Sequence, residues 1–279
     1  MKFIFFGYDF SLNVLERLVA DGHDCIGIQT FECDNIFNFN TGLLEFAKSR
    51  NIPARFEKPD IKFINDSIDK GCNLFLTAGY PYKVPCVDES KAYMVNMHPS
   101  LLPVGRGIMP TPHVLLHTPE ASGITLHKMV PEFDAGDILM QLPLPLSEQE
   151  DVEMLSARTA MAAPDLVSKL IADLPRLWKN AVPQDHSKAV SWDAPTDAMR
   201  TIDFRKSIKD IEKVGRAFGR YGSLVEIDGK NYATFDFSCW SESHLYEPGT
   251  IVLKMSREIV VAAKDGFVCL KDVAELAPA

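Results

Sequence analysis

Apolar and polar positions set a clear rhythm over the first thirty residues. Residues 2–7 are a continuous apolar run closed by Gly7, the pattern of a strand buried on both faces. Leu12, Leu15, Leu18 and Val19 then recur at helical spacing within 11–20, and 23–29 reads as a second strand. Strand, helix and strand in so short a span predict the opening of a parallel α/β sheet. The pattern continues with helices over 43–50 and 61–70, and with a buried strand over 73–78 that Gly79 ends. A strand at 92–97 follows, then 122–130, which 137–142 completes as a hairpin. The Ala-, Leu- and Met-rich stretch 151–179 predicts one long helix or two shorter ones, with Pro164 and Pro175 marking interruptions or ends.

Beyond it the character changes. Residues 180–195 are polar and carry two prolines, as a linker does. A helix is predicted over 207–218. Short β-type runs follow at 223–227, 231–240, 250–254, 258–262 and 267–271, parted by turn signals at Asp228-Gly229, Pro248-Gly249 and Asp265-Gly266. The expectation is a Rossmann-like α/β domain over 1–182 with a parallel or mixed sheet, a linker over 183–198, and a small OB-like β-barrel domain over 199–279.

Composition changes this picture little. With 46% hydrophobic and 24% charged residues the chain of 279 is an ordinary globular one. Its net charge of −9 disfavours a surface built for polyanions. The opening run meets Gly7 and Asp9 too soon for a secretion signal, and no apolar stretch is of membrane-spanning length, so the cytoplasm is the expected compartment. The six cysteines are scattered without a C-x-x-C pair, and His113, His117 and His127 lack metal-type spacing, so neither a disulfide framework nor a metal site is expected.

The chemistry concentrates between Val95 and Gln141. Asn96-Met97-His98-Pro99-Ser100-Leu101-Leu102-Pro103 lies at the end of a predicted strand, where ligands of open parallel sheets bind. Alternation puts Asn96 and His98 on one side. One can donate to a developing oxyanion, and the other can take a proton. Further on, Glu132-Phe133-Asp134-Ala135-Gly136-Asp137 occupies a loop between two strands. A carboxylate brought beside His98 would fix its tautomer and raise its basicity.

These segments, with Gly105-Arg106-Gly107, Gly123-Ile124-Thr125-Leu126-His127 and Asp134-Ala135-Gly136-Asp137-Ile138-Leu139, resemble in order and spacing the folate-dependent formyltransferase family. That family includes methionyl-tRNA, glycinamide ribonucleotide and sugar N-formyltransferases. Arg200-Thr201-Ile202-Asp203-Phe204 and Glu247-Pro248-Gly249-Thr250-Ile251 are similar to the C-terminal domain of the methionyl-tRNA enzyme and its small-molecule relatives. The resemblance implies 10-formyltetrahydrofolate as co-substrate and an amine as acceptor. It makes Asn96 the stabiliser of the tetrahedral oxyanion, His98 the proton-transfer residue, and Asp134 the carboxylate that tunes His98. It also places folate contacts at Ser100, Leu101, Leu102 and Pro103, at Val130, Pro131, Glu132 and Phe133, and at Tyr80. Gly79-Tyr80-Pro81 stands where the family often has Ala-Tyr-Gly, and Ile108 where some relatives have an arginine.

The acceptor is narrowed by exclusion. Methionyl-tRNA enzymes carry a basic loop after the second strand, suited to phosphate contacts. Here residues 31–40 hold two acids, three phenylalanines and no Lys or Arg. From Val190 onward 12 Lys and Arg face 14 Asp and Glu, and the chain ends soon after Leu276, without the tail of the tRNA enzymes. The first strand leads into Gly7-Tyr8-Asp9-Phe10-Ser11, with no Gly-rich phosphate cradle. A small amine is therefore expected, such as a nucleotide-linked amino sugar or a secondary-metabolite amine. Transfer RNA and a hydrolase that releases formate stand as alternatives. Relatives include homodimers built through the C-terminal domain, and nothing in this sequence requires one.

Overall fold

The computed structural model describes residues 1–276. Apart from the short β3, which was not expected, its first elements follow the expected order: β1 (Lys2–Gly7), α1 (Leu12–Ala20), β2 (Asp24–Gln29), α2 (Thr41–Ser49), β3 (Ala54–Arg55), α3 (Ile61–Asp69), β4 (Leu74–Ala78) and β5 (Tyr93–His98). Next come β6 (Val104–Gly107), α4 (Pro110–Leu116), β7 (Gly123–Lys128), β8 (Ile138–Pro143), α5 (Val152–Ala172), α6 (Leu174–Lys179) and β9 (Val190–Trp192). The main sheet runs β3-β2-β1-β4-β5-β7-β8. Its first five strands are parallel. β7 and β8 turn back antiparallel. Phe3, Phe5, Phe6, Phe75, Leu76 and Val95 are fully buried, which accounts for the unbroken apolar runs of the central strands. Strand order reverses between β1 and β4, so the crevice beyond their C-terminal ends lies beside β5.

Two loops after these strands are organised by carboxylates. Asp9 accepts from the backbone N–H of Gly42 at 3.0 Å and of Leu43 at 2.8 Å, one on each oxygen, at the start of α2. Asp34 Oδ1 gathers the N–H groups of Ile36, Phe37 and Asn38 at 2.8–2.9 Å, and these bonds hold its carboxyl below the usual range.

Pro164 does not interrupt its helix, contrary to the sequence expectation: α5 runs on through it. A proline there supplies no N–H to the carbonyl of Ala160. The side-chain amide of Asn13 donates to that carbonyl instead, so α1 makes good the missing bond. Pro175 falls in the first turn of α6, where no N–H is required.

Contacts divide the chain into two compact units. The first comprises Met1–Pro110, Glu120–Pro145 and Ala157–Trp192; the second comprises Thr111–Pro119, Leu146–Ser156 and the residues from Asp193 on. The stretch 183–198, read from composition as a linker, is structured over much of its length. β9 pairs in parallel with β6, and residues up to Trp192 belong to the first unit.

In the second unit lie α7 (Asp197–Arg200), α8 (Ile208–Phe218), β10 (Ser223–Ile227), β11 (Lys230–Thr234), β12 (Asp236–Ser241), β13 (Ile251–Lys254), β14 (Glu258–Ala263), β15 (Gly266–Lys271) and β16 (Ala274–Glu275). They form two antiparallel sheets, β10-β11-β16 and β12-β15-β14-β13. Ile208, Ile211, Val225, Ile227, Val261, Val268 and Leu270 pack into one core between these sheets and α8. The predicted turn at Asp228-Gly229 has both residues at positive φ, as a tight hairpin needs. No helix of the described residues is long and apolar enough to cross a membrane.

Candidate active site

β5 ends at His98, and its alternation carries Asn96 and His98 to the same side. Asn96 faces His127 across the β5–β7 pair. The loop from β7 to β8 folds back over this point and delivers Asp134, whose φ of 54° is one an aspartate tolerates. Gly136 permits that return, since any Cβ there would overlap the carbonyl of Lys128. The three predicted residues meet. Asn96 Nδ2 donates to Asp134 Oδ1 at 3.1 Å, and His98 Nδ1 lies 3.5 Å from the same oxygen. Asp134 Oδ2 accepts from the N–H of Gly107 at 2.9 Å.

Neighbouring carbonyls fix the tautomers. His98 Nε2 is 2.7 Å from the carbonyl of Gly105, which can only accept, so Nε2 carries the hydrogen and Nδ1 presents its lone pair toward Asp134. His127 Nδ1 donates to the carbonyl of Lys128 at 2.8 Å, leaving Nε2 to accept from Asn96 Nδ2 at 3.0 Å. Both rings are buried. Burial lowers the pKa of His98, and the Asp134 charge only partly offsets this. Burial pushes the Asp134 carboxyl up. The adjoining His127 and His98 rings and the Gly107 N–H outweigh it and bring the group to about 2.

The residues expected around folate fall into two groups. Val130, Pro131, Glu132 and Phe133 line an open cavity of about 700 Å³, together with Arg106, Ala135, His186 and Ser191. The Ser100–Pro103 turn is mainly internal. Ser100 is fully buried and donates to the carbonyl of Val104 at 2.8 Å. Leu102 is buried too, and Thr125 and Gln141 hold its peptide groups. Leu101 is half-buried, with its N–H on the carbonyl of Ala121. Tyr80 joins an aromatic cluster with Phe6, Phe31 and Tyr82 at centroid distances of 5.5–6.3 Å, and burial pushes its hydroxyl up to about 12.

Two contributors were not singled out from sequence. His127, noted from sequence only within a motif and as lacking metal-type spacing, touches both Asn96 and Asp134 from inside the sheet. Gln184, inside the supposed linker, is buried and uses its whole amide. Nε2 donates to the carbonyls of Asp134 and Gly136, each at 2.7 Å, and Oε1 accepts from Arg106. Alternation along β7 puts His127 on the face opposite Ile124 and Leu126, and so could have shown it on the side of Asn96; no local pattern marks Gln184.

An open α/β sheet with amide, imidazole and carboxylate converging beyond its strand ends is a Rossmann-like fold with a polar cluster where such sheets bind their ligands. More narrowly, the chain belongs to the formyl transferase family. The model of that family matches residues 61–171, and that of its C-terminal domain matches 196–277. Methionyl-tRNA formyltransferase of Streptococcus sanguinis is 28% identical, over 98% of this chain and 90% of its own length. Of other curated methionyl-tRNA formyltransferases similar to it, the chain spans 64% of the length of one and 91% of another. In fold it is similar to HypX from Aquifex aeolicus, solved with tetrahydrofolic acid (TM-score 0.70, 17% identity), covering 99% of this chain but 44% of that one. It is likewise similar to the N-formyltransferase from Helicobacter canadensis, solved with folinic acid and dTDP-3-aminofucose (TM-score 0.66, 19% identity), covering 98% and 99%.

Proposed function

We propose that this protein transfers the formyl group of 10-formyltetrahydrofolate to a primary amine of a small molecule, such as a nucleotide-linked amino sugar. The observation that carries the reading is the convergence of Asn96, His98 and Asp134 on one point at 3.1 and 3.5 Å. The fold neighbours solved with folates support the choice of donor. The amine nitrogen attacks the formyl carbon, and the carbonyl oxygen becomes an oxyanion. Asn96, steadied by His127, turns the N–H now on Asp134 toward that oxygen. His98, neutral at pH 7 because burial lowers its pKa, takes the amine proton on Nδ1. There the proton faces the Asp134 carboxylate, and it passes to N10 as the carbon–nitrogen bond to folate breaks. Formylated amine and tetrahydrofolate result.

The curated sequence relatives favour a second acceptor, methionyl-tRNA. Against it stand the loop over 31–40, wound on the Asp34 carboxylate, and the start of α2, already taken by Asp9. Neither offers a cation to a phosphate backbone. The test is incubation with 10-formyltetrahydrofolate and a panel of amines, including nucleotide-linked amino sugars and methionyl-tRNA, with mass spectrometry of products. Product with tRNA alone overturns the acceptor assignment. Tetrahydrofolate formation unchanged in both Asn96→Ala and His98→Ala overturns the mechanism, and formate release without amine supports the hydrolase.

A further inference from the structure

One wall of the cavity beside Asp134 carries a cation that the mechanism does not use. Arg106 lies on β6 between Gly105 and Gly107, both at positive φ, and β6 is anchored by its pairing with β9. A Cβ at Gly107 would overlap the carbonyl of Trp192, so the approach of the two strands that sets this side chain depends on glycine. The guanidinium is oriented by neutral acceptors. Nε and Nη2 donate to Gln184 Oε1 at 3.1 and 2.6 Å, and Nη2 donates to His186 Nδ1 at 3.2 Å. Among the described residues no carboxylate pairs with it. In a chain of net charge −9, an arginine held at a cavity wall by neutral acceptors keeps its charge available to an anion.

The surroundings extend the same chemistry. Because Arg106 can only donate, His186 accepts on Nδ1, and its neutral ring carries the hydrogen on Nε2. His186 and Ser191 line the cavity with Arg106, whereas Val130, Pro131 and Phe133 supply the apolar walls. Glu132 lies on the same rim and is the one lining group that opposes an anion. The volume, about 700 Å³, suits a small-molecule ligand.

We infer that Arg106, with His186 and Ser191, binds an oxyanion, phosphate or carboxylate, carried by one of the two substrates. The assignment of that anion to a substrate rests on the formyl-transfer reading; the site itself does not. Two sources have this chemistry: a phosphate of the acceptor and the glutamate tail of the folate.

Full-length protein and its Arg106→Gln and Ser191→Asp variants separate them by titration calorimetry, with melting curves to check folding. Ser191 is exposed and is the strand partner of Arg106, so Ser191→Asp sets a negative charge beside the guanidinium while both Arg106 and Gln184 are retained. The probes are inorganic pyrophosphate, 5-formyltetrahydrofolate, and the matching 5-formyltetrahydropteroate, which lacks glutamate. Weakening of pyrophosphate by tenfold or more in both variants supports the site and assigns it to the acceptor. Weakening of 5-formyltetrahydrofolate by the same factor, with the tail-less folate unaffected, supports it and assigns it to the folate tail. Equal binding of all three probes by wild type and variants, or equal loss of both folates, overturns it. No turnover is required, so failure to formylate any amine would remove the catalytic reading and leave this result standing.

Discussion

Gln184 Nε2 reaches across fifty residues of sequence to the carbonyl of Asp134, 2.7 Å away, and holds the carbonyl of Gly136 at the same distance. The loop that delivers the carboxylate is thus pinned by an amide that touches no reacting atom. Gln184→Ala should lower kcat by about tenfold to a hundredfold, the scale set by small misplacements of catalytic groups, with a smaller change in KM. Gln184→Glu should be no better, since a carboxylate cannot donate to two carbonyls. Steady-state kinetics beside a thermal melt decide it: wild-type kcat in both variants would refute the positioning role.

As the base of the proposed mechanism, His98 should set the acid limb of activity. Its pKa lies below 6.5 because burial disfavours the charged ring, so the neutral base is fully present at pH 7. kcat should be flat from neutral pH down to about 6.5 and fall only as acid reaches the lowered value. The same shift bears on stability. The unfolded chain takes up this proton more readily, so stability declines as pH falls below 6.5. Asp134 adds its own loss between 3.8 and about 2, because its folded carboxyl is depressed. A rate profile that drops already between pH 8 and 7 would contradict the His98 assignment.

His127 is expected to matter through Asn96. Its Nε2 takes one of the two amide hydrogens at 3.0 Å, which keeps the Asn96 nitrogen turned into the site. His127→Phe keeps the bulk, loses the acceptor, and should cost about 10-fold to 10³-fold in kcat, up to the loss of an oxyanion donor itself. The comparison is with Asn96→Ala. If the double variant is no slower than Asn96→Ala alone, the two act as one unit; additive losses would separate them.

The bond from Asn13 to the Ala160 carbonyl can be tested without activity. Asn13→Ala should destabilise by about 1 kcal/mol, as a partly buried acceptor loses its donor. In a Pro164→Ala background the helix regains its own N–H, and the same substitution should cost distinctly less. Denaturant unfolding of the four proteins measures the coupling; equal costs in both backgrounds would show that Asn13 does not serve the proline gap.

Much of the fold was readable because local and tertiary preferences coincide. The apolar runs of β1 and β4 are strands buried on both faces, and Asp228-Gly229 is a hairpin turn because only such residues adopt its two positive φ values readily. Strand alternation put Asn96 and His98 on one side, and the order and spacing shared with a known family joined Asp134 to them. Pro164 misled because its remedy comes from α1, far away in sequence. Gln184 was hidden for the same reason: its stretch is polar and proline-bearing, and only the partners it meets in space, Asp134, Gly136 and Arg106, make it more than a connection.

Asp9 gives both its oxygens to the first turn of α2, whose N-terminus offsets roughly half an elementary charge. What remains of the Asp9 charge is negative, and Glu32 and Asp34 stand in the loop that precedes α2. An amine in neutral water travels as an ammonium ion. On the proposed reading, these acids would draw the protonated amine toward the sheet and leave the shedding of its proton to the interior.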